Sequence, residues 1–148
     1  GKLLSERLGL PFYDTDQMLI EHYQMTIPEI FAKGGETLFR DYEHEIARRV
    51  CTLGRSVVST GGGMLTFDRN GEILAKNGMI FYIDRPFEDC YANLAQHPER
   101  PLFKNHTKKE VQDMYLIRRD LYRKYAKFDI KNTGTAGEAA EKIRDLLK

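Results

Sequence analysis

Ser56-Val57-Val58-Ser59-Thr60-Gly61-Gly62-Gly63 joins a short β-branched run to three consecutive glycines. The run suits a buried strand, because branched side chains pack well on a pleated surface. Glycine loses much conformational entropy on folding, so a turn that keeps three of them needs unusual backbone freedom or a close approach by another group. Bare N–H groups where such a turn leads into a helix suit an anion, for instance a carboxylate.

On the amino-terminal side, Leu3, Leu4 and Leu8 recur at helical spacing and Gly9 offers a stop, so the first residues read as the tail of a helix. Pro11-Phe12-Tyr13 predicts a short strand running into Asp14-Thr15-Asp16, with an aspartate as N-cap of a helix through Met18, Leu19 and Tyr23. Thr26, Pro28 and Glu29 read as N-cap, early proline and capping-box acid of a short helix ending near Gly34-Gly35. Phe39, Tyr42, Ile46 and Val50 then mark a long amphipathic helix over residues 36–53.

On the carboxyl-terminal side, strand and helix continue to alternate. A helix is expected over residues 69–76, a strand over 79–83, a helix over 86–95, a helix through Tyr125, a strand over 128–130 and a helix over 136–147, with a polar stretch over 96–108. This order predicts an α/β domain, a parallel sheet covered by helices on both faces. Ligands in such sheets sit at the carboxyl ends of strands, which directs attention to Asp14-Thr15-Asp16 and Thr60-Gly61-Gly62-Gly63.

The 148 residues suit one domain, and 41% hydrophobic content suffices for a core. With 23 basic and 22 acidic side chains, the net charge of +1 gives no general attraction to nucleic acid or anionic membranes. The strongest apolar run, residues 78–83, is far shorter than a bilayer span, and residues 1–10 lack the features of a signal peptide. Cys51 and Cys90 show no metal or disulfide spacing and are expected to be reduced, partly buried thiols in a cytoplasmic protein.

Several side chains carry candidate chemistry. Asp14 and Asp16 read either as an N-cap and a turn residue, or as one carboxylate for a hydrated Mg²⁺ and another for a substrate hydroxyl. Glu36, Arg40 and Glu43 share one helical face, as a surface ion-pair ladder or as an arginine fork for a carboxylate. Arg100, in the polar stretch, and Arg118, on the following helix, are ordinary solvated arginines unless a mobile loop brings charge to a phosphoryl group. His22, His44, His97 and His106 have no ligand spacing and read as surface or loop residues.

Taken together, Phe12-Tyr13-Asp14-Thr15-Asp16, Gly34-Gly35-Glu36-x-x-Phe39-Arg40, Ser59-Thr60-Gly61-Gly62-Gly63, Arg100-Pro101-Leu102 and Arg118-x-x-Leu121-Tyr122 resemble the shikimate kinase family, in order and interval, across residues 1–148. The resemblance implies a three-layer, P-loop nucleoside-monophosphate-kinase-like fold, with shikimate-binding helices over residues 15–53 and a lid over 96–108. It implies ATP-dependent phosphorylation of the 3-hydroxyl of shikimate, a step of chorismate and aromatic amino acid biosynthesis, with ATP and Mg²⁺ as cofactors and a cytoplasmic monomer as the working form. Carried over, Asp16 resembles the carboxylate that binds shikimate hydroxyls and acts as base, and Asp14 the one near Mg²⁺. Arg40 and Arg118 resemble a clamp on the shikimate carboxylate, aided by the backbone of Gly61, Gly62 and Gly63 and supported by Glu43. Arg100 resembles the lid arginine that reaches the ATP phosphates.

Two features depart from the family pattern. Asn93 stands where many members carry an arginine near the adenine. No GxxxxGK[ST] loop occurs, and Gly1-Lys2, followed by Leu3, sits where first-helix residues belong. The expectation is therefore that the native protein carries roughly 15 further residues, a central strand and the loop. The alternatives are a shikimate-binding relative without catalysis and another small-molecule kinase of this fold, such as one acting on gluconate.

Overall fold

The computed structural model describes the backbone of residues 1–148 and every side chain except those of Pro101 and Leu102, so that part of the Arg100-Pro101-Leu102 motif lies outside the described residues. Helix α1 (Lys2–Leu8) ends at Gly9, whose φ of 62° is the left-handed conformation that glycine adopts without penalty. Strand β1 (Phe12–Asp14) leads directly into α2 (Thr15–Tyr23), and Asp14 caps that helix by accepting from the backbone N–H groups of Asp16 and Gln17 at 2.9 and 3.2 Å.

The two helices expected on either side of Gly34-Gly35 are both present and form the two halves of α3 (Ile27–Val50), separated by a kink at Gly35, whose φ of 66° and ψ of −162° are not helical. That region is essentially closed to residues with a Cβ, so the glycine sets the kink and turns the Arg40-bearing half away from the first half. At its start, Thr26 and Glu29 form the expected capping box.

Strand β2 (Val57–Ser59) pairs with β1 in parallel, Phe12 opposite Val57 and Asp14 opposite Ser59. This register puts the ends of both strands at one level, so Asp14-Thr15-Asp16 and Thr60-Gly61-Gly62-Gly63 emerge side by side. The glycine turn closes into a 3-10 turn (Met64–Thr66), followed by α4 (Asp68–Asn77). Strand β3 (Phe81–Asp84) starts two residues later than its apolar run suggests. Met79 is exposed, although the Ile80 carbonyl still accepts from the Lys127 amide at 2.8 Å. After α5 (Phe87–Ala95), the short α6 (Pro101–Lys104) and the 18-residue α7 (Lys108–Tyr125), strand β4 (Phe128–Lys131) pairs in parallel with β3, and α8 (Ala136–Leu146) closes the chain.

The parallel α/β organisation is as expected. Among the described residues the strands form two separate pairs, β1-β2 and β3-β4, with no ladder between them. Helix α7 links the pairs instead: its Tyr122 ring lies 5.5 Å from that of Tyr82 on β3 while its hydroxyl donates to the Gly62 carbonyl at 2.5 Å.

Three apolar clusters support this frame. Leu4, Ile130, Ala139, Ala140 and Ile143 join α1, β4 and α8; Leu19, Ile30, Phe39 and Ile46 lock α2 onto both halves of α3; Ala47, Met64, Leu65 and Leu74 seat the turn and α4 against α3. Full burial of a side chain such as Leu19 or Ile30 contributes about 1.5–3 kcal/mol. The second and third clusters fix the positions of the functional side chains.

Candidate active site

Each glycine of the turn faces a different polar side chain. A Cβ added at Gly61 would stand 3.0 Å from Asp16 Oδ1, one at Gly62 would stand 3.3 Å from Arg118 Nη1 and 3.4 Å from Tyr122 Oη, and one at Gly63 would run into the Arg40 guanidinium. Absence of side chains here therefore serves close approach: the backbone forms the floor of a cup whose walls are Asp16, Arg40 and Arg118. Thr15 Oγ1 accepts from the Gly61 N–H at 3.2 Å, tying the turn to the start of α2.

Arg40 is held from several sides. Its Nη1 donates to Glu43 Oε1 at 2.9 Å, Glu36 Oε1 lies 3.4 Å from its Nε and Nη2, and its Cζ lies 5.1 Å from the Phe39 ring and 5.2 Å from the Phe67 ring. Its side chain is 17% exposed and that of Glu43 only 3%, while Glu36 is in solvent. The surface-ladder reading thus fits Glu36 but not Glu43, which lies inside and fixes one edge of the guanidinium. A planar fork held between rings and a buried carboxylate presents its remaining donors in a fixed direction.

The carboxylates of this cluster differ from solvated ones. Burial pushes the Asp16 carboxyl above its ordinary range, the Asp14 charge pushes the same way, and Arg40 opposes both. Burial also raises Glu43, against the hydrogen bond and charge of Arg40. Tyr122 is raised by burial as well, with Arg118 opposing. Asp14 is exposed at the strand end, and both its cap bonds fall on one oxygen, Oδ1. Among the described residues no group of three or more His, Cys, Asp or Glu side chains is placed to hold a metal.

Arg118 also faces a second space, a cavity of about 280 Å³ between β3, α5 and α7 whose lining includes Tyr82, Cys90, Asn93, Arg100 and Tyr122. Arg100 and Arg118 thus line one cavity, whereas Arg40 belongs to the cup alone. Cys51 is half-buried and Cys90 exposed, both free thiols; exposure of Cys90 differs from the partly buried position expected for it.

Some partners had no signal in the sequence. Phe67 beneath Arg40 and Tyr122 on the Gly62 carbonyl come from distant elements, although Tyr122 does fall in the Arg118-x-x-Leu121-Tyr122 motif. His44, expected on the surface, is instead half-buried with Nδ1 2.7 Å from the Oδ1 of the fully buried Asn70. The expectation failed because the contact is made across 26 residues of sequence, which local periodicity does not encode.

A family model described as shikimate kinase matches residues 1–148. Shikimate kinase of Clostridium botulinum (strain Alaska E43 / Type E3) is 35% identical over 147 residues, spanning 99% of this chain and 87% of that protein. Shikimate kinase of Caldicellulosiruptor bescii is 37% identical over 144 residues, spanning 97% and 84%. Among solved structures, shikimate kinase from Acinetobacter baumannii in complex with shikimate superposes with a TM-score of 0.90 at 34% identity, over 99% of this chain and 83% of that one. The Aquifex aeolicus shikimate kinase structure gives 0.84 at 31% identity, over 99% and 86%.

Proposed function

This chain belongs to the shikimate kinase family, and we propose on that premise that it transfers the γ-phosphoryl group of ATP to the 3-hydroxyl of shikimate. The observation that carries the reading is the cup at the glycine turn, where two guanidinium groups and one carboxylate converge on a bare backbone. A cyclic polyol acid needs this combination: cationic forks for its carboxylate at one end and a basic oxygen for a hydroxyl at the other. The solved Acinetobacter baumannii relative, by its description, binds shikimate.

Arg40 and Arg118 take the substrate carboxylate, with the backbone of Gly61, Gly62 and Gly63 alongside, and Glu43 keeps Arg40 from swinging away. Asp16 meets the 3-hydroxyl. A carboxylate raised by burial is a better proton acceptor than a solvated one, so Asp16 takes the hydroxyl proton as the oxygen attacks. Arg100, on the lid over residues 96–108, supplies positive charge to the phosphates and, with closure, excludes water. No GxxxxGK[ST] string occurs in residues 1–148, so Arg100 is the phosphate ligand assigned among these residues.

Family members use ATP with a divalent cation, and Mg²⁺ is the ion proposed. Mg²⁺ takes one or two carboxylates together with substrate phosphates, a demand that an exposed Asp14 at the strand end meets without a dedicated cage. When bound, the ion neutralises phosphate charge. No helix of the described residues is long and apolar enough to cross a membrane. A cytoplasmic monomer that binds no nucleic acid completes the proposal.

ADP release measured with MgATP and a panel of acids tests it. Release should depend on shikimate and stop in Asp16→Asn with the fold retained; release driven by gluconate and not by shikimate would overturn the substrate, and unchanged turnover in Asp16→Asn would overturn the role of that carboxylate.

A further inference from the structure

We propose that Asn70 is a positioning residue for substrate binding: its side-chain amide ties the glycine turn to the helix that carries Arg40 and Glu43, and so sets the two sides of the cup against each other. The inference rests on the reading of Arg40 and the turn as the site of the shikimate carboxylate.

Asn70 lies in the first turn of α4 and is 1% exposed. Its Nδ2 donates to the Met64 carbonyl at 2.9 Å, and its Oδ1 faces His44 Nδ1 at 2.7 Å. A carbonyl only accepts, so the amide nitrogen has to point to Met64 and the amide oxygen to His44. An imidazole nitrogen that faces an amide oxygen has to carry a hydrogen, which assigns the proton of His44 to Nδ1. Both ends of the amide are therefore used, one on the residue after Gly63 and one on the residue after Glu43.

Arg69, the preceding residue, acts in the same direction. Its Nη2 donates to the Arg40 carbonyl at 3.0 Å and its guanidinium pairs with Asp41 at 3.2 Å. Two consecutive residues of α4 thus hold α3 at Arg40, Asp41 and His44 while reaching the turn at Met64. Three consecutive glycines offer no side chains of their own to fix the turn, so its position depends on bonds from outside. These come from Thr15 to Gly61, from Tyr122 to Gly62 and from Asn70 to Met64, and of the three only the last is buried. An apolar side chain at position 70 would leave the Met64 carbonyl and the His44 Nδ1–H unpaired in the interior, and the turn would relax to find other partners.

Calorimetric titration with shikimate of the unaltered protein, Asn70→Ala and Arg40→Ala tests the inference, because it reads affinity and the number of competent sites separately. Asn70→Ala should keep the number of sites and raise Kd roughly tenfold, the effect of misplacing a charged hydrogen-bond partner. Fewer sites at an unchanged Kd would mean that Asn70 serves stability only and would overturn the proposal. Arg40→Ala with unchanged affinity would sink the reading of the cup itself; Arg40→Ala impaired beside a normal Asn70→Ala would sink the role of Asn70 alone. Should Asn70→Ala not fold, the ¹⁵N resonances of His44 in the unaltered protein decide: a proton on Nδ1 is expected, and a bare Nδ1 would overturn the bridge.

Discussion

Asp16 shows what the site demands of a single residue. Its carboxyl is raised in the fold, first by burial, then by Asp14, against the pull of Arg40. A group whose folded pKa exceeds its unfolded value near 4 binds its proton more tightly when folded. The associated stability is fully present below that unfolded value and is lost as pH rises through the folded one. Asp16→Asn, which cannot ionise, should therefore match the unaltered protein in acid and exceed it at neutral pH. Thermal unfolding of both from pH 4 to 7 checks the sign; a gap independent of pH would contradict it. The acidic pair was legible in the sequence as a strand-end motif, and so was the alternative that one aspartate caps a helix, which Asp14 does. Neither the ring of Phe67 under Arg40 nor the partner of His44 was legible, since each side chain comes from an element whose own spacing looks ordinary.

At the scale of elements, the kink in α3 is the most informative feature. Gly35 carries φ 66° and ψ −162°, and nothing lies within 4 Å of where its Cβ would be. Space is thus no obstacle to Gly35→Ala, and the whole effect should come from the backbone, a loss of about 1–3 kcal/mol. Urea unfolding checks this; an unchanged midpoint would mean that the helix straightens without penalty. The two helical halves were legible because Gly34-Gly35 interrupts the apolar period. The capping box of Thr26 with Glu29 was legible, whereas those of Thr107 with Glu110 and Thr135 with Glu138, equally complete, were not. Each follows a polar stretch in which several residues qualify as caps, so the choice among them is made by how the helix docks. Alternation of strands and helices made the parallel α/β class legible, but not the partner of each strand.

At the scale of the whole molecule there are two spaces, the cup and the cavity between β3, α5 and α7. Arg118 faces both, Arg40 only the first and Arg100 only the second. Phe103 on α6 lies 5.8 Å from the Tyr91 ring, and Tyr91 and Tyr115 each pack on Phe87, which links α6 to α5 and α7. Arg100→Ala should then lower kcat with MgATP by about 10²-fold or more while shikimate affinity changes less than about twofold. Kinetics set beside calorimetry decide this, and an equal loss in both would merge the two spaces into one. The parallel pairing carries a further consequence, in the order of folding. Phe12 must find Val57, and Phe81 must find Phe128, each about a third of the chain away, so long loops have to close before either ladder forms. The α2–α3 contacts are far more local and form without that delay. In stopped-flow refolding, helical ellipticity should consequently return before the capacity to bind shikimate, since the β1-β2 register that brings Asp16 to Gly61 is among the last features the chain acquires.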